Sequence, residues 1–212
     1  MSFILPEIDD YLKSLSGPKD KDIESVQLAG QREEIPIVDE EVGRFLSLLI
    51  LTKQPKKVLE LGFGGGYSSL WMAKALGEGG MITSLELNTD RVDRGRRIFQ
   101  DLDLSPRLQL LYIDALEYLQ NTTETYDFIF LDAIKRSYAR YLPLIPRVLR
   151  KGGIFLADNI LFRGNVVKTD PGKKYQAGTS AIKAFNKTLS VSCDFKTIFL
   201  PIGDGLSFSV RV

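Results

Sequence analysis

Val58-Leu59-Glu60-Leu61-Gly62-Phe63-Gly64-Gly65-Gly66-Tyr67-Ser68-Ser69 starts as a short apolar run, passes through a glycine-rich turn and enters a stretch with helical spacing. Glycines tolerate positive φ and let the backbone approach a ligand closely. A helix that begins there adds unpaired N–H groups. A dinucleotide fingerprint G-x-G-x-x-G starting at Gly62 would need glycine at position 67, which is Tyr67. The next apolar run ends at Glu86, where a carboxylate can accept both hydrogen bonds of a ribose diol. Taken alone, the glycines make only a turn. Loop, Glu86 and the strand pattern around them together point to a ribose-bearing ligand.

Outward from this stretch, apolar runs at 58–61, 81–85, 108–113, 128–131 and 154–157 alternate with amphipathic stretches at about 67–77, 89–102, 114–120 and 136–150. Strands alternating with helices predict a parallel sheet covered on both faces. The near-continuous apolar runs fit strands buried on both sides. A helical stretch at 179–190 precedes Thr197-Ile198-Phe199-Leu200, a Gly203-Asp204-Gly205 turn and Leu206-Ser207-Phe208-Ser209-Val210, a hairpin that turns the last strand antiparallel. Upstream, Asp39 is placed to cap a helix whose Val42, Phe45, Leu46, Leu49 and Ile50 form a core-facing stripe, and Pro55 ends it. The expected fold is α/β: a Rossmann-like, seven-stranded, mostly parallel sheet with its last strand antiparallel, helices on both faces and extra N-terminal helices. No repeat or linker-like stretch interrupts it. A single domain over 1–212 is expected, with 1–54 as its helical part and 55–212 as its α/β core.

Composition narrows the chemistry. With 28 Lys+Arg against 27 Asp+Glu, the formal net charge of +1 excludes a strongly basic protein that coats nucleic acid. The lone Cys193 excludes an internal disulfide framework and a multi-Cys zinc site. The chain has no histidine, so no Ser-His-Asp triad, Cys-His pair or His-ligated metal can form within it. Proton transfer at neutral pH falls to Lys, Tyr, Asp, Glu or Cys. The stretch Met1-Ser2-Phe3-Ile4-Leu5-Pro6-Glu7 lacks the basic start of a secretory leader. No stretch approaches the ~20 apolar residues that span a bilayer. The expected location is cytoplasmic, with neither membrane nor nucleic acid as partner.

The acidic residues fall at strand ends. Asp114-Ala115 follows the third strand, where Asp114 is also a natural helix cap. Asp132 closes the fourth strand and Asp158-Asn159 the fifth, and in an open parallel sheet adjacent strand ends face one crevice. Two carboxylates and an amide oxygen make a hard donor set, suited to Mg²⁺, Mn²⁺ or Ca²⁺ and poor for zinc. Lys135 stands three positions after Asp132. Separately, an Asp-Asn pair reads as a turn and a loop lysine as solvated.

Together these features resemble known enzymes. Glu60, Gly62, Gly64 and Gly66, with an acid at the end of the second strand, resemble the class I S-adenosylmethionine (SAM) methyltransferases. Adding Asp132-x-x-Lys135 and Asp158-Asn159, the chain resembles the cation-dependent O-methyltransferases, which include catechol and caffeoyl-CoA O-methyltransferases and bacterial relatives. The likeness also runs through Ile35-Pro36-Ile37, Ala157-Asp158-Asn159-Ile160-Leu161 and Pro201-Ile202-Gly203-Asp204-Gly205-Leu206. It implies SAM contacts at Ile37, Glu60, Gly62, Gly64, Ser68, Glu86, Asp114, Ala115 and Asp132. It implies a divalent cation on Asp132, Asp158 and Asn159, Mg²⁺ first with Mn²⁺ or Ca²⁺ as alternatives, and a catalytic base at Lys135. The implied reaction is methyl transfer from SAM to a hydroxyl of a small phenolic acceptor, catechol-like or hydroxycinnamoyl in type.

The resemblance further implies that the N-terminal helices, including Ser25–Glu34, cover the site or pair two chains in a homodimer. Many relatives carry Asp two places after the metal-binding Asp; here Ile134 makes that wall apolar. The segment from Phe162 to Gly178 reads as a mobile loop on the substrate side. The rival readings are a SAM-binding module without activity, a nicotinamide dehydrogenase and a nucleic-acid methyltransferase. Lys135 with the full ligand set, Tyr67, and the absence of an Asn-Pro-Pro-aromatic motif after strand four count against them in turn.

Overall fold

β1 (Lys57–Leu61) is buried at every position but its first, as a strand sandwiched between two helical layers must be. Its side chains alternate between two cores. Val58 joins one built with α2 (Lys21–Arg32), α3 (Glu40–Lys53), α4 (Tyr67–Ala75) and α5 (Thr89–Asp101); Leu59 and Leu61 join the other. That second core is closed by α6 (Ala115–Asn121), α7 (Tyr138–Tyr141), α8 (Ile145–Val148) and α9 (Lys173–Ser190). The computed structural model describes residues 5–212, and the reading of the first four residues lies outside them. A short helix α1 (Pro6–Ser14) begins the described chain.

The seven-stranded sheet has the order β3-β2-β1-β4-β5-β7-β6. β2 (Met81–Glu86), β3 (Leu108–Tyr112), β4 (Tyr126–Leu131) and β5 (Leu149–Ala157) run parallel with β1. β7 (Leu206–Arg211) pairs antiparallel with β6 (Phe195–Leu200), as the hairpin pattern predicts, and its other edge pairs antiparallel with β5. The strand order reverses between β1 and β4. That reversal opens a crevice at their carboxyl ends, where ligands bind in open α/β sheets. Among the described residues no helix is long and apolar enough to cross a membrane.

Three local expectations are corrected. The helix predicted over 136–150 is broken into a 3₁₀ turn at Lys135–Ser137, α7, a second 3₁₀ turn at Leu142–Leu144 and α8, after which β5 already begins at Leu149. Its apolar spacing is real, since Tyr138, Tyr141, Leu142, Ile145, Val148 and Leu149 are buried. Pro143 and Pro146 offer no N–H to the preceding turn, so one continuous helix cannot form. In contrast, α9 starts at Lys173 instead of 179, which shortens the expected loop from its far end. Gly178 does not break that helix. It makes room for Phe162, whose Cζ would lie 2.8 Å from a Cβ there. Asp39 occupies the cap position of α3, but its side chain makes no cap hydrogen bond; its carbonyl accepts from the Val42 and Gly43 N–H groups at 3.1 and 3.2 Å.

Candidate active site

The glycine turn is fixed from below. Gly62 has φ +102°, and a Cβ on it would lie 2.3 Å from the Asp132 carbonyl oxygen, so the ends of β1 and β4 meet only because Gly62 has no side chain. The N–H groups of Gly62 and Phe63 donate to the Leu85 carbonyl at 3.2 and 3.0 Å, which ties the turn to β2. Gly66, at φ +80°, starts α4. Glu60 is placed differently from the cofactor contact expected of it. Its side chain is fully buried behind the turn and is not part of the cavity wall. Ser68 donates to one of its oxygens at 2.6 Å, and Ser84, at 2.5 Å, and Ser69 both donate to the other. Burial outweighs these hydroxyls and pushes the Glu60 carboxyl up to about 7. Glu60 therefore holds α4 and β2 against β1.

In front of the turn lies a cavity of about 340 Å³, whose walls include Ile37, Gly62, Gly64, Ser68, Glu86, Asp114, Ala115, Asp132 and Lys135. The Glu86 carboxylate is held by three backbone donors: Gly64 at 2.9 Å on one oxygen, Leu87 at 2.8 Å and Asn88 at 3.0 Å on the other. Asp114 both caps α6, accepting from Leu116 and Glu117 at 2.9 and 3.1 Å through Oδ1, and lines the cavity. Two acids at one end, glycine backbone in the middle and Asp132 at the other end fit an adenosyl group with a cationic tail.

The second feature sits at the ends of β4 and β5. Asp132 and Lys135 form an ion pair at 2.5 Å, both partly exposed to the cavity. Asp158 is buried, and one of its oxygens accepts from the Asn159 N–H at 2.6 Å. Burial first, and then the nearby Asp132 carboxylate, raise the Asp158 carboxyl well above the ordinary carboxylate range. The Tyr138 hydroxyl, fully buried beneath, donates to the carbonyls of Leu131 and Asp158 at 3.3 and 3.2 Å and so pins the two strand ends together. Asp158 and Asn159 stand outside the cavity wall formed by Asp132 and Lys135. Among the described residues no group of three or more acidic or Cys side chains is placed to hold a metal. A cation there would depend on two carboxylates and one amide oxygen. That hard set fits Mg²⁺, Mn²⁺ or Ca²⁺, and mutual repulsion between the two carboxylates favours a cation between them.

Several wall residues had no signal in the sequence. Arg91 reaches the Glu86 carboxylate at 3.9 Å, and Tyr141 lines the cavity from α7, inside the stretch expected to be one helix. Phe63 is buried under the turn against Phe99 and fills the notch left by Gly95. Ile134, the departure from the common acid, lines the cavity and is 55% exposed, so it offers an apolar surface to a bound molecule.

Comparison with known proteins finds similar sequences and similar folds. The model of a family described as O-methyltransferase matches residues 22–212. Caffeoyl-CoA O-methyltransferase 2 of Populus trichocarpa is 31% identical over 179 residues, covering 80% of this chain and 72% of that protein. The O-methyltransferase of Bacillus cereus, solved with SAH, superposes with a TM-score of 0.84 at 27% identity, over 97% of both chains. A methyltransferase from Geobacter sulfurreducens superposes with a TM-score of 0.83 at 29% identity, over 99% of this chain and 97% of its own.

Proposed function

Because the chain belongs to the O-methyltransferase family and is a SAM-dependent enzyme of that family, we propose that it methylates a hydroxyl of a small vicinal diphenol or hydroxycinnamoyl-type acceptor with the help of a divalent cation. The observation that carries this reading is the meeting of Asp132 and Lys135 at the cavity wall with Asp158-Asn159 on the adjacent strand end. Glu86 accepts the ribose diol, Asp114 the adenine amino group, and Asp132 faces the cationic amino-acid end of SAM. Asp132, Asp158 and Asn159 would hold the divalent cation, which would supply Lewis-acid polarisation of the acceptor hydroxyl.

Lys135 takes the phenolic proton at Nζ. It must enter that step neutral, and its side chain, 23% exposed, can pass the proton to water afterwards. The wall around the turn holds the methyl donor near the acceptor oxygen, which supplies the proximity contribution. Ile134 gives the acceptor ring an apolar surface to lie against. A second reading is favoured by one contact. With Nζ 2.5 Å from Asp132, Lys135 can serve as the charge partner of that carboxylate without moving a proton.

The test is transfer of a labelled methyl group from SAM to a panel of vicinal diphenols and hydroxycinnamoyl thioesters, with and without a chelator. Metal-dependent labelling of at least one acceptor is expected. Labelling of none, or labelling unaffected by complete metal removal, contradicts the proposal.

A further inference from the structure

The Gly203-Asp204-Gly205 turn between β6 and β7 takes no part in binding SAM or in moving a proton, yet it is fixed as tightly as the glycine turn at β1. Gly203 and Gly205 both lie in the left-handed region, at φ +57° and +84°. A Cβ on Gly203 would sit 2.8 Å from Val42 Cγ2, and one on Gly205 would sit 2.5 Å from Leu161 Cγ. Asp204 is thus wedged between α3 and the loop that follows β5.

Its three oxygens all go to that loop. Oδ1 accepts from the Arg163 N–H at 2.6 Å, Oδ2 from Asn159 Nδ2 at 3.2 Å, and the Asp204 carbonyl from the Leu161 N–H at 3.0 Å. The Gly205 carbonyl adds the Ile160 N–H at 3.1 Å. The loop needs this hold. Asn159, Phe162 and Arg163 are non-glycine residues at φ +58°, +46° and +54°, a conformation that persists only where the surroundings fix it.

We infer that Asp204 is a positioning residue for cation binding: it captures the NH₂ end of the Asn159 amide and so leaves the amide oxygen as the atom available to a divalent cation. The inference rests on the cation site proposed for Asp132, Asp158 and Asn159. A carboxylate has no hydrogen to donate, so only the NH₂ end of the amide can face it. Asp204 is not itself a ligand of that site. Both its oxygens are engaged, and among the described residues it completes no three-acid cluster.

The decisive substitution is Asp204→Asn. The new amide can still accept the Arg163 N–H through its oxygen, but it presents NH₂ toward Asn159. The Asn159 amide must then turn over and offer its own NH₂ to the cation. Mn²⁺ affinity, read by electron paramagnetic resonance of the free ion in the SAM-loaded protein, should fall about 10–100-fold, the range for partners that orient metal ligands. SAM affinity by calorimetry should not change.

Combining Asn159→Asp with Asp204→Asn restores a donor facing an acceptor and leaves a second carboxylate oxygen at 159, so most of the lost Mn²⁺ affinity should return. Asp204→Asn binding Mn²⁺ like the wild type, while Asp158→Ala has lost it, overturns the inference and leaves the cation site standing. A wild-type protein that binds no Mn²⁺, or Asp158→Ala binding it equally well, removes the cation site and the inference with it. If Asp204→Asn weakens both folding and Mn²⁺ binding, the double variant decides. No recovery in a double variant shown to be folded by its melting curve overturns the positioning role.

Discussion

Lys135 Nζ lies 2.5 Å from Asp132 Oδ1, and both side chains face the cavity that also holds Glu86 and Asp114. This pair links the two halves of the site, because Asp132 belongs to the SAM wall and to the strand end beside Asp158. The same contact gives Lys135 two possible tasks, as base and as counter-charge, and substitution separates them. Lys135→Ala should lower kcat by ~10²–10⁴-fold, the usual contribution of a general base, with SAM affinity little changed. Lys135→Arg keeps the charge beside Asp132 but stays protonated at any usable pH, so it should not rescue turnover. Steady-state kinetics decide. Wild-type-like kcat in Lys135→Arg assigns Lys135 to charge balance and removes it as base.

Glu86→Ala should weaken SAM binding. One lost hydrogen bond to a charged group costs about 1.5–3 kcal/mol, or roughly ten- to a hundred-fold in affinity. The substitution also frees the N–H groups of Gly64, Leu87 and Asn88, so some loosening of the turn adds to the loss. Isothermal titration with SAM gives the answer, and unchanged affinity would place the ribose elsewhere.

Glu60 should impose a pH dependence on stability. Its carboxyl is raised in the fold from 4.5 to about 7, so between those values the folded chain holds a proton that the unfolded chain has released. Stability is therefore full below the unfolded value and falls as pH rises through the folded one. At ~1.36 kcal/mol per unit, the loss from this group is on the order of 3 kcal/mol by pH 8. Asp158 and Asp204 are raised in the same direction, so the comparison must be with Glu60→Gln, which removes only this titration. Urea unfolding at pH 5 and pH 8 should show a smaller drop in Glu60→Gln than in the wild type. Equal drops in both proteins would assign the dependence to other groups.

The fold was legible because its signals are local. The apolar runs mark the strands, and the glycines between Leu61 and Tyr67 fix where the first one ends. The stretch from Arg136 to Arg150 misled because burial and helix continuity are separate properties. Its apolar spacing describes what faces the core, while Pro143 and Pro146 decide how the backbone gets there. Within the site, Glu86, Asp114, Asp132 and Lys135 could be read from their positions at strand ends, and all four line the cavity. Glu60 could not, since its burial depends on Ser84 of the neighbouring strand and on two serines of the next helix. Asp204 was visible only as part of a turn. Its hold on Asn159 arises from the pairing of β7 with β5, which no local pattern encodes.

Catalysis by a cation held between the β4 and β5 ends is the central claim, and the most direct measurement is methyl transfer to a vicinal diphenol as Mg²⁺ is titrated back into metal-stripped enzyme. The wild type should be inactive when stripped and should recover saturably with Mg²⁺. Asp158→Ala, still folded and still binding SAM, should not recover at any Mg²⁺ concentration. Full activity of the stripped wild type, or recovery of Asp158→Ala at the wild-type Mg²⁺ concentration, would contradict the account.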